Sequence, residues 1–332
     1  DSETTISGGM VDGADGVKVS GSTVQVNNNA SIDAEGGDVA INGTDTGITG
    51  GNVTSTTGDV DIIGSTTNTL SGVSVGGKDV SVTGGEVSVT NGTVAGTAAV
   101  TIAGTASTNV NGVDVDGASI AVGSETGTTT ITNTDDKDTT LDATGKIAVT
   151  GTTVSLTDIS VDSTGTDADG ASVAITGSDV EVSGENVTGT GSVTIAGTTS
   201  TKVNGVDVDG KTVAVGDAGS ATTITGGTID GKGDVSVYGT ELTVKDAASI
   251  DSQDGKVTVN GATTEITGGN VTSKTGDVEI IGSTTNTLSG VSVGGKEVSV
   301  TGGAVSVTGG TVAGSEAVAI AGTANTAVNG VD

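Results

Sequence analysis

The chain has 332 residues, a formal net charge of −30 and a sequence pI near 4.1, a balance that argues against nucleic acid or anionic membrane surfaces as partners. It contains no His, Cys, Pro, Phe, Trp or Arg, and Tyr238 is its single aromatic residue. The usual nucleophile–base pairs and phosphate clamps of enzymes are therefore missing, and no thick core of aromatic rings can form.

From the N-terminal part onward, pairs of apolar residues separated by one residue recur at steps of mostly 20 to 22 positions. The pairs begin at Val17, Val39, Val60, Val80, Val100, Ile120, Ile147, Val173, Val193, Val213, Val235, Val257, Val278, Val298 and Val318. Alternation points both members of a pair one way and the residue between them to solvent. A fixed period of this kind predicts stacked β-coils and not the disorder that a Gly, Ser and Thr-rich composition alone would favour.

Two kinds of coil can be distinguished. In residues 80–99 the apolar positions predict three short strands, separated by Thr83–Gly85 and Asn91–Gly92. In residues 60–79 a polar stretch, Ser65–Thr69, interrupts the apolar positions, and we expect it on an exposed sheet face. With glycine supplying the left-handed corners, the sequence predicts an all-β fold, a parallel β-solenoid of about fifteen three-sided coils, each of about 20 to 22 residues.

The order of the coils is itself repeated. The stretch Gly58–Gly85 returns at Gly276–Gly303 with only two Asp-to-Glu differences, and residues 1–114 are restated at 219–332, displaced by 218 positions. We therefore predict one continuous solenoid over residues 1–332. Two longer steps predict loops that leave the solenoid near residues 123–146 and 162–172.

The last residues, Val331-Asp332, correspond to Val113-Asp114, after which the earlier copy continues through the same strand. An uncapped parallel coil exposes unpaired backbone groups to which further strands can add. We expect either that the native protein continues past both ends or that separate copies stack end to end.

The phrase GVDVDG occurs twice and supplies the only candidate ligand residues. Alternation places Asp114 and Asp116, and in the second occurrence Asp207 and Asp209, on the outer face. Stacked carboxylates suit Ca²⁺, a hard cation that takes oxygen ligands, so these four residues form a candidate Ca²⁺ site. The alternative is a solvated acidic face at a turn. We expect no other cofactor and no catalytic residue.

Two phrases carry a likeness to known proteins. Residues 37–43, GDVAING, and residues 58–64, GDVDIIG, resemble the repeats of large secreted bacterial adhesins of the filamentous-haemagglutinin type, and the likeness covers nearly the whole chain. The resemblance implies a right-handed parallel β-helix exported to the cell surface. It assigns no functional residue.

From these features we expect an extracellular structural or adhesive segment, a repetitive stalk of a large bacterial surface protein without enzymatic activity. A self-assembling fibre, surface-layer or biofilm-matrix protein is the alternative, and a β-helix enzyme acting on polysaccharide is a third reading. The expected partners are further copies or repeats of the same protein and the glycans of host or neighbouring cells. Membrane insertion is not expected, because no apolar run approaches the length of a membrane span.

Overall fold

A computed structural model describes residues 2–133, 137–165 and 171–332. Over these residues the chain is an all-β parallel β-solenoid of about fifteen coils, and they contain no helix. The described residues accordingly offer no helix that could cross a membrane. Two compact units, Asp1–Asp167 and Ala168–Asp332, divide the chain.

The first unit contains eighteen strands, and the second contains fourteen. In the first unit they are β1 Glu3–Ser7, β2 Met10–Gly13, β3 Val17–Ser20, β4 Thr23–Asn27, β5 Ser31–Ala34, β6 Val39–Thr49, β7 Asn52–Ser55, β8 Val60–Ser71, β9 Ser74–Gly77, β10 Val80–Thr90, β11 Thr93–Gly96, β12 Ala99–Asn111, β13 Asp114–Gly117, β14 Ser119–Gly123, β15 Thr128–Thr132, β16 Thr140–Ala143, β17 Ile147–Thr157 and β18 Ser160–Ser163. In the second they are β19 Ala171–Ser183, β20 Asn186–Gly189, β21 Ser192–Asn204, β22 Asp207–Gly210, β23 Thr212–Val215, β24 Ala221–Thr225, β25 Thr228–Gly231, β26 Val235–Lys245, β27 Ser249–Ser252, β28 Val257–Thr267, β29 Asn270–Ser273, β30 Val278–Ser289, β31 Ser292–Thr308 and β32 Thr311–Asn329.

Each coil has three sides, which are named here from the coil of β10 and β11. Its first side is Val80–Thr83, its second side is Glu86–Thr90, and its third side is Thr93–Gly96. Each side pairs in parallel with the same side of the preceding and following coils. Outward residues of one side therefore form columns, with one residue from each coil at a spacing of about 4.8 Å.

The predicted inward register is confirmed. Val60 pairs with Val80, Val80 with Val100, and Val100 with Ile120, and all four side chains are at most 2% exposed. Valine, isoleucine and leucine stacked in this way fill a thin core, because β-branched side chains pack well on a pleated surface. The core needs no aromatic ring.

The prediction of three separate strands in residues 80–99 was wrong at the first corner. Strand β10 runs without a break from the first side to the second, and its pairing with β12 shifts register between Gly84 and Glu86. A Cβ added to Gly84 would lie 2.3 Å from the carbonyl oxygen of Gly64. Because glycine allows this close approach, the strand bends at a bulge and keeps its hydrogen bonds.

The second corner is left-handed, as predicted. Gly72, Asn91 and Gly112 occupy it in three successive coils with φ values of 64°, 52° and 63°. Glycine and asparagine are the residues that adopt this conformation at the lowest cost.

The two predicted loops lie partly outside the described residues. Within 123–146, strands β15 and β16 belong to the solenoid, and the extra residues lie between them. The Lys137 ammonium donates a hydrogen bond to the Gly92 carbonyl oxygen at 2.5 Å, which fastens this connection to the preceding turn. Residues 134–136 of this loop, and 166–170 of the loop predicted at 162–172, lie outside the described part of the chain.

Candidate functional site

The four candidate aspartates lie on the third side of their coils. In β13, Val115 is buried, while Asp114 and Asp116 point outward on either side of it. In β22, Val208 is buried between the outward Asp207 and Asp209. The alternation that placed these carboxylates on the outer face is thus present in both units.

Only one aspartate of each pair belongs to a column of carboxylates. In the first unit, Asp116 pairs with Asp142, and Asp142 pairs with Asp162. In the second unit the corresponding column is Asp209, Asp230 and Asp251. The sequence analysis missed the last two members of each column. A common signal could have found them, because each of these aspartates follows an inward Ile, Leu or Val and lies in the coil after the last one.

The other aspartate of each pair supports the neighbouring coil. The Asp114 carboxylate lies 3.3 Å from the Lys137 ammonium and accepts a 3.5 Å hydrogen bond from the Thr140 hydroxyl. Asp207 accepts hydrogen bonds from the backbone N–H and the hydroxyl of Thr228, at 3.1 and 2.7 Å. The predicted pairs are therefore split between a structural role and a carboxylate column.

Partial burial raises the pKa of Asp116, and the charges of Asp142 and Asp114 raise it further. The pKa of Asp162 is raised by burial and then by the charge of Asp142. These carboxylates repel one another in the column, so a proton or a nearby cation would stabilise them.

In the second unit, burial raises the pKa of Asp209, with additional effects from Asp230 and Asp207. Burial also raises the pKa of Asp230, followed by the charge of Asp251, while hydrogen bonds from Gln253 and the Gly231 backbone oppose the shift. The two columns therefore share the same electrostatic strain.

A groove runs along each column, and the two grooves differ in size and lining. The groove of the first unit has a volume of about 440 Å³, and the corner residues beside its aspartates include Thr97, Ala118 and Thr144. The groove of the second unit has a volume of about 150 Å³, and the corner residues beside its aspartates include Lys211 and Lys232. Lysine side chains thus accompany the carboxylates of the second unit, whereas the first unit presents its carboxylates in a wider groove without lysine.

The Ca²⁺ site stays a prediction. Among the described residues, no group of three or more Asp, Glu, His or Cys side chains is arranged so that it could hold a metal ion. The four aspartates proposed from the sequence belong to two units, and in each unit one of them is engaged by the next coil.

No family model matches the sequence, and neither a curated protein nor a solved structure matches it. Inference about function therefore starts from the surfaces of the solenoid itself.

A different set of acidic residues, at the third corner, has a purely structural role. The Asp38 carboxylate accepts a 2.9 Å hydrogen bond from the Asp59 backbone N–H, Asp59 accepts one from Asp79 at 3.2 Å, and Asp79 accepts one from Ala99 at 2.9 Å. Each carboxylate satisfies a donor of the next coil that would otherwise lack a partner. Part of the large negative charge is therefore built into the coil-to-coil contacts.

The expectation that Ser65–Thr69 lies wholly on an exposed face was wrong for one residue. Asn68 is fully buried, and its amide donates hydrogen bonds to the carbonyl oxygens of Ile62 at 2.8 Å and Thr83 at 3.2 Å. The equivalent Asn286 makes the same two kinds of contact. The bulged corner leaves carbonyl groups that the strand ladder does not pair, and a buried amide or hydroxyl satisfies them.

Proposed function

We propose that the chain is a structural and adhesive segment of a large extracellular bacterial surface protein, a repetitive stalk of the filamentous-haemagglutinin type. The observation that carries the proposal is the coil-to-coil register. Identical or similar side chains stack through successive coils on all three sides, as in the pairs β8–β10 and β9–β11. Such stacking favours a stiff support whose outer faces repeat one pattern at a fixed spacing.

The mechanical part of the proposal follows from how two coils would separate. Strand β8 pairs with β10 over the first and second sides, and β9 pairs with β11 over the third. Pulling the coils apart requires these hydrogen bonds to break together, along with the contacts of Val60, Ile62 and Leu70 in the core. We expect this cooperativity to give a high unfolding force.

The adhesive part rests on the second side of the first unit. Its outward residues are almost all hydroxyl or amide side chains. Strand β15 contributes Thr128, Thr130 and Thr132, which lie beside Thr153, Ser155 and Thr157 of β17 and beside Ser107, Asn109 and Asn111 of β12. In a chain of charge −30, this uncharged array offers donors and acceptors that suit the hydroxyls of a neutral glycan.

Adhesion is tested with beads that carry the purified 332-residue chain, applied to glycan arrays and to intact cells. The variant Ser88→Glu, Asn109→Glu, Thr130→Glu changes one column of the second side. The control variant Ser81→Glu, Thr101→Glu, Ala121→Glu changes a column of the first side in the same three coils. We expect bead retention to fall at least tenfold for the first variant and to change little for the control.

Retention that is absent for the unmodified chain, or lost equally in both variants, would overturn the adhesive part of the proposal. Atomic-force stretching tests the mechanical part separately, since a low unfolding force would contradict it. Release of reducing ends from polysaccharides by the purified chain would contradict the proposal that it is not an enzyme. The alternative of self-assembly has an observation of its own, which concerns the lysines of the second unit.

A further inference from the structure

The second unit carries a column of lysines at the corner that follows its third side. Lys211, Lys232, Lys274 and Lys296 are the first corner residues of their coils, and Gln253 fills the one position between them. The backbone N–H of Lys211, Lys232 and Lys274 each donates to a carbonyl oxygen of the preceding coil, which fixes the spacing of the column. All four side chains are exposed.

These lysines are largely free of intramolecular ion pairs. Lys296 lies 3.5 Å from the Glu316 carboxylate, whereas Lys211, Lys232 and Lys274 form no ion pair with any described residue. Seven of the eleven lysines of the chain lie in the second unit. A row of available ammonium groups is therefore present on a molecule whose net charge is strongly negative.

The first unit presents the opposite arrangement. Its aspartate column, Asp116, Asp142 and Asp162, occupies three adjacent coils along the 440 Å³ groove. Where the same kind of column occurs in the second unit, Lys211 and Lys232 line the groove, whose volume is only 150 Å³. The fold thus already accommodates lysine side chains along an aspartate column, and the first unit lacks them.

We propose that the lysine column of one molecule docks along the aspartate column of a second copy of the same chain. Both columns advance by one coil per residue, so their charges repeat at the same spacing of about 4.8 Å. Ammonium and carboxylate groups would therefore meet in register over several coils. This proposal rests on the structural role proposed above and gives it a contact surface between neighbouring molecules.

Salt should affect this contact in both directions. At about 0.01 M salt the Debye length is about 30 Å, and the net charges of two molecules repel over most of their surfaces. At about 0.15 M it is about 8 Å, which screens the distant charges but leaves adjacent pairs intact. At about 1 M it is about 3 Å, and the pairs are screened as well. We expect association to be strongest at the intermediate concentration.

The experiment is sedimentation of the full 332-residue chain at the three salt concentrations, over a hundredfold range of protein concentration. The lysine-reversed variant is Lys211→Glu, Lys232→Glu, Lys274→Glu. The aspartate-reversed variant is Asp116→Lys, Asp142→Lys, Asp162→Lys. A control for net charge, Lys18→Glu, Lys202→Glu, Lys245→Glu, makes the same charge change at exposed positions on other sides. Circular dichroism verifies that every variant keeps its strand content.

We expect the unmodified chain and the control to associate at about 0.15 M salt, and each reversed variant to lose association at least tenfold. An equimolar mixture of the two reversed variants should associate again, because each then offers the charge that the other needs. A unmodified chain that stays monomeric at all three salt concentrations would overturn the proposal, as would a mixture that does not associate. Neither result bears on the glycan and stretching tests, so failure of this contact and failure of the proposed function can be told apart.

Discussion

Substituting aspartate at Ile102 tests whether the inward ladder holds the solenoid together. Ile102 is fully buried in β12, between Val82 of the preceding coil and Val122 of the following one. Loss of the isoleucine side chain costs about 2–5 kcal/mol. The introduced carboxyl must also be protonated in the core, which at pH 7 costs about 4 kcal/mol for a group with an ordinary pKa near 3.9. The sum, about 6–9 kcal/mol, is comparable to the whole stability of an ordinary domain.

The matched control is Thr101→Asp, one position earlier in the same strand. Thr101 points outward between Ser81 and Ala121, so its carboxylate stays in water and faces no acidic side chain in the paired positions. We expect a change of at most about 0.5 kcal/mol. Urea titration followed by far-ultraviolet circular dichroism measures both variants.

The pH dependence separates a buried charge from general damage. Burial raises the folded-state pKa of the carboxyl introduced by Ile102→Asp above its unfolded value. The penalty should therefore shrink by about 1.4 kcal/mol for each pH unit as the pH falls from 7 towards 4. Equal urea midpoints for the variants at positions 101 and 102 would refute the assignment of inward and outward residues.

Three further predictions concern corners and carboxylates. Gly269→Ala should destabilise the chain by more than Gly290→Ala, as measured by urea titration, because both positions have positive φ but only at Gly269 would the new Cβ meet a backbone oxygen, at 2.0 Å; equal losses would contradict the clash. Since burial raises the pKa of Asp116, its stability penalty appears as the pH rises through the window above about 3.9, so Asp116→Asn should be more stable than the unmodified chain at pH 7 by at most about 1 kcal/mol and equal to it below pH about 3.5. Ca²⁺ should raise the melting temperature more than NaCl at matched ionic strength, and less so in Asp116→Asn; equal effects of the two salts would leave only screening.

The sequence predicted the fold because one physical signal recurs throughout the chain. The alternation at Val80 and Val82, or at Val100 and Ile102, states which way each side chain points, and the period of about 20 states what stacks on what. These are local and repeated features. Register in a solenoid follows from them directly, since a slip by one residue would turn the core residues to solvent.

The first corner could not be predicted in the same way. Thr83–Gly85 was interpreted as a break between strands because glycine commonly marks turns. Whether a glycine breaks a strand or bends it depends on what its backbone meets. Gly84 lies against the carbonyl oxygen of Gly64, a contact that belongs to the neighbouring coil and leaves no mark in its own sequence segment.

The site was predicted only in part for a related reason. Asp114 and Asp116 were noticed because they recur close together as a phrase, whereas the column that the structure forms joins Asp116 to Asp142 and Asp162. The steps between these residues span the longer coils, where the period fails. Pairing across coils, and not spacing along the chain, decides which charges become neighbours.

The duplicated register has a consequence for how the length of this protein can vary. Strand β6 pairs with β8 as β28 pairs with β30, with Val39 beside Val60 and Val257 beside Val278. The face that one coil offers to the next is therefore the same in both repeats. If residues 60–277 were removed, β6 would meet β30 across a contact that the fold already contains, and inserting a further 218 residues would be equally neutral. The gene can lengthen or shorten its product in whole repeats without any coil encountering an unfamiliar neighbour.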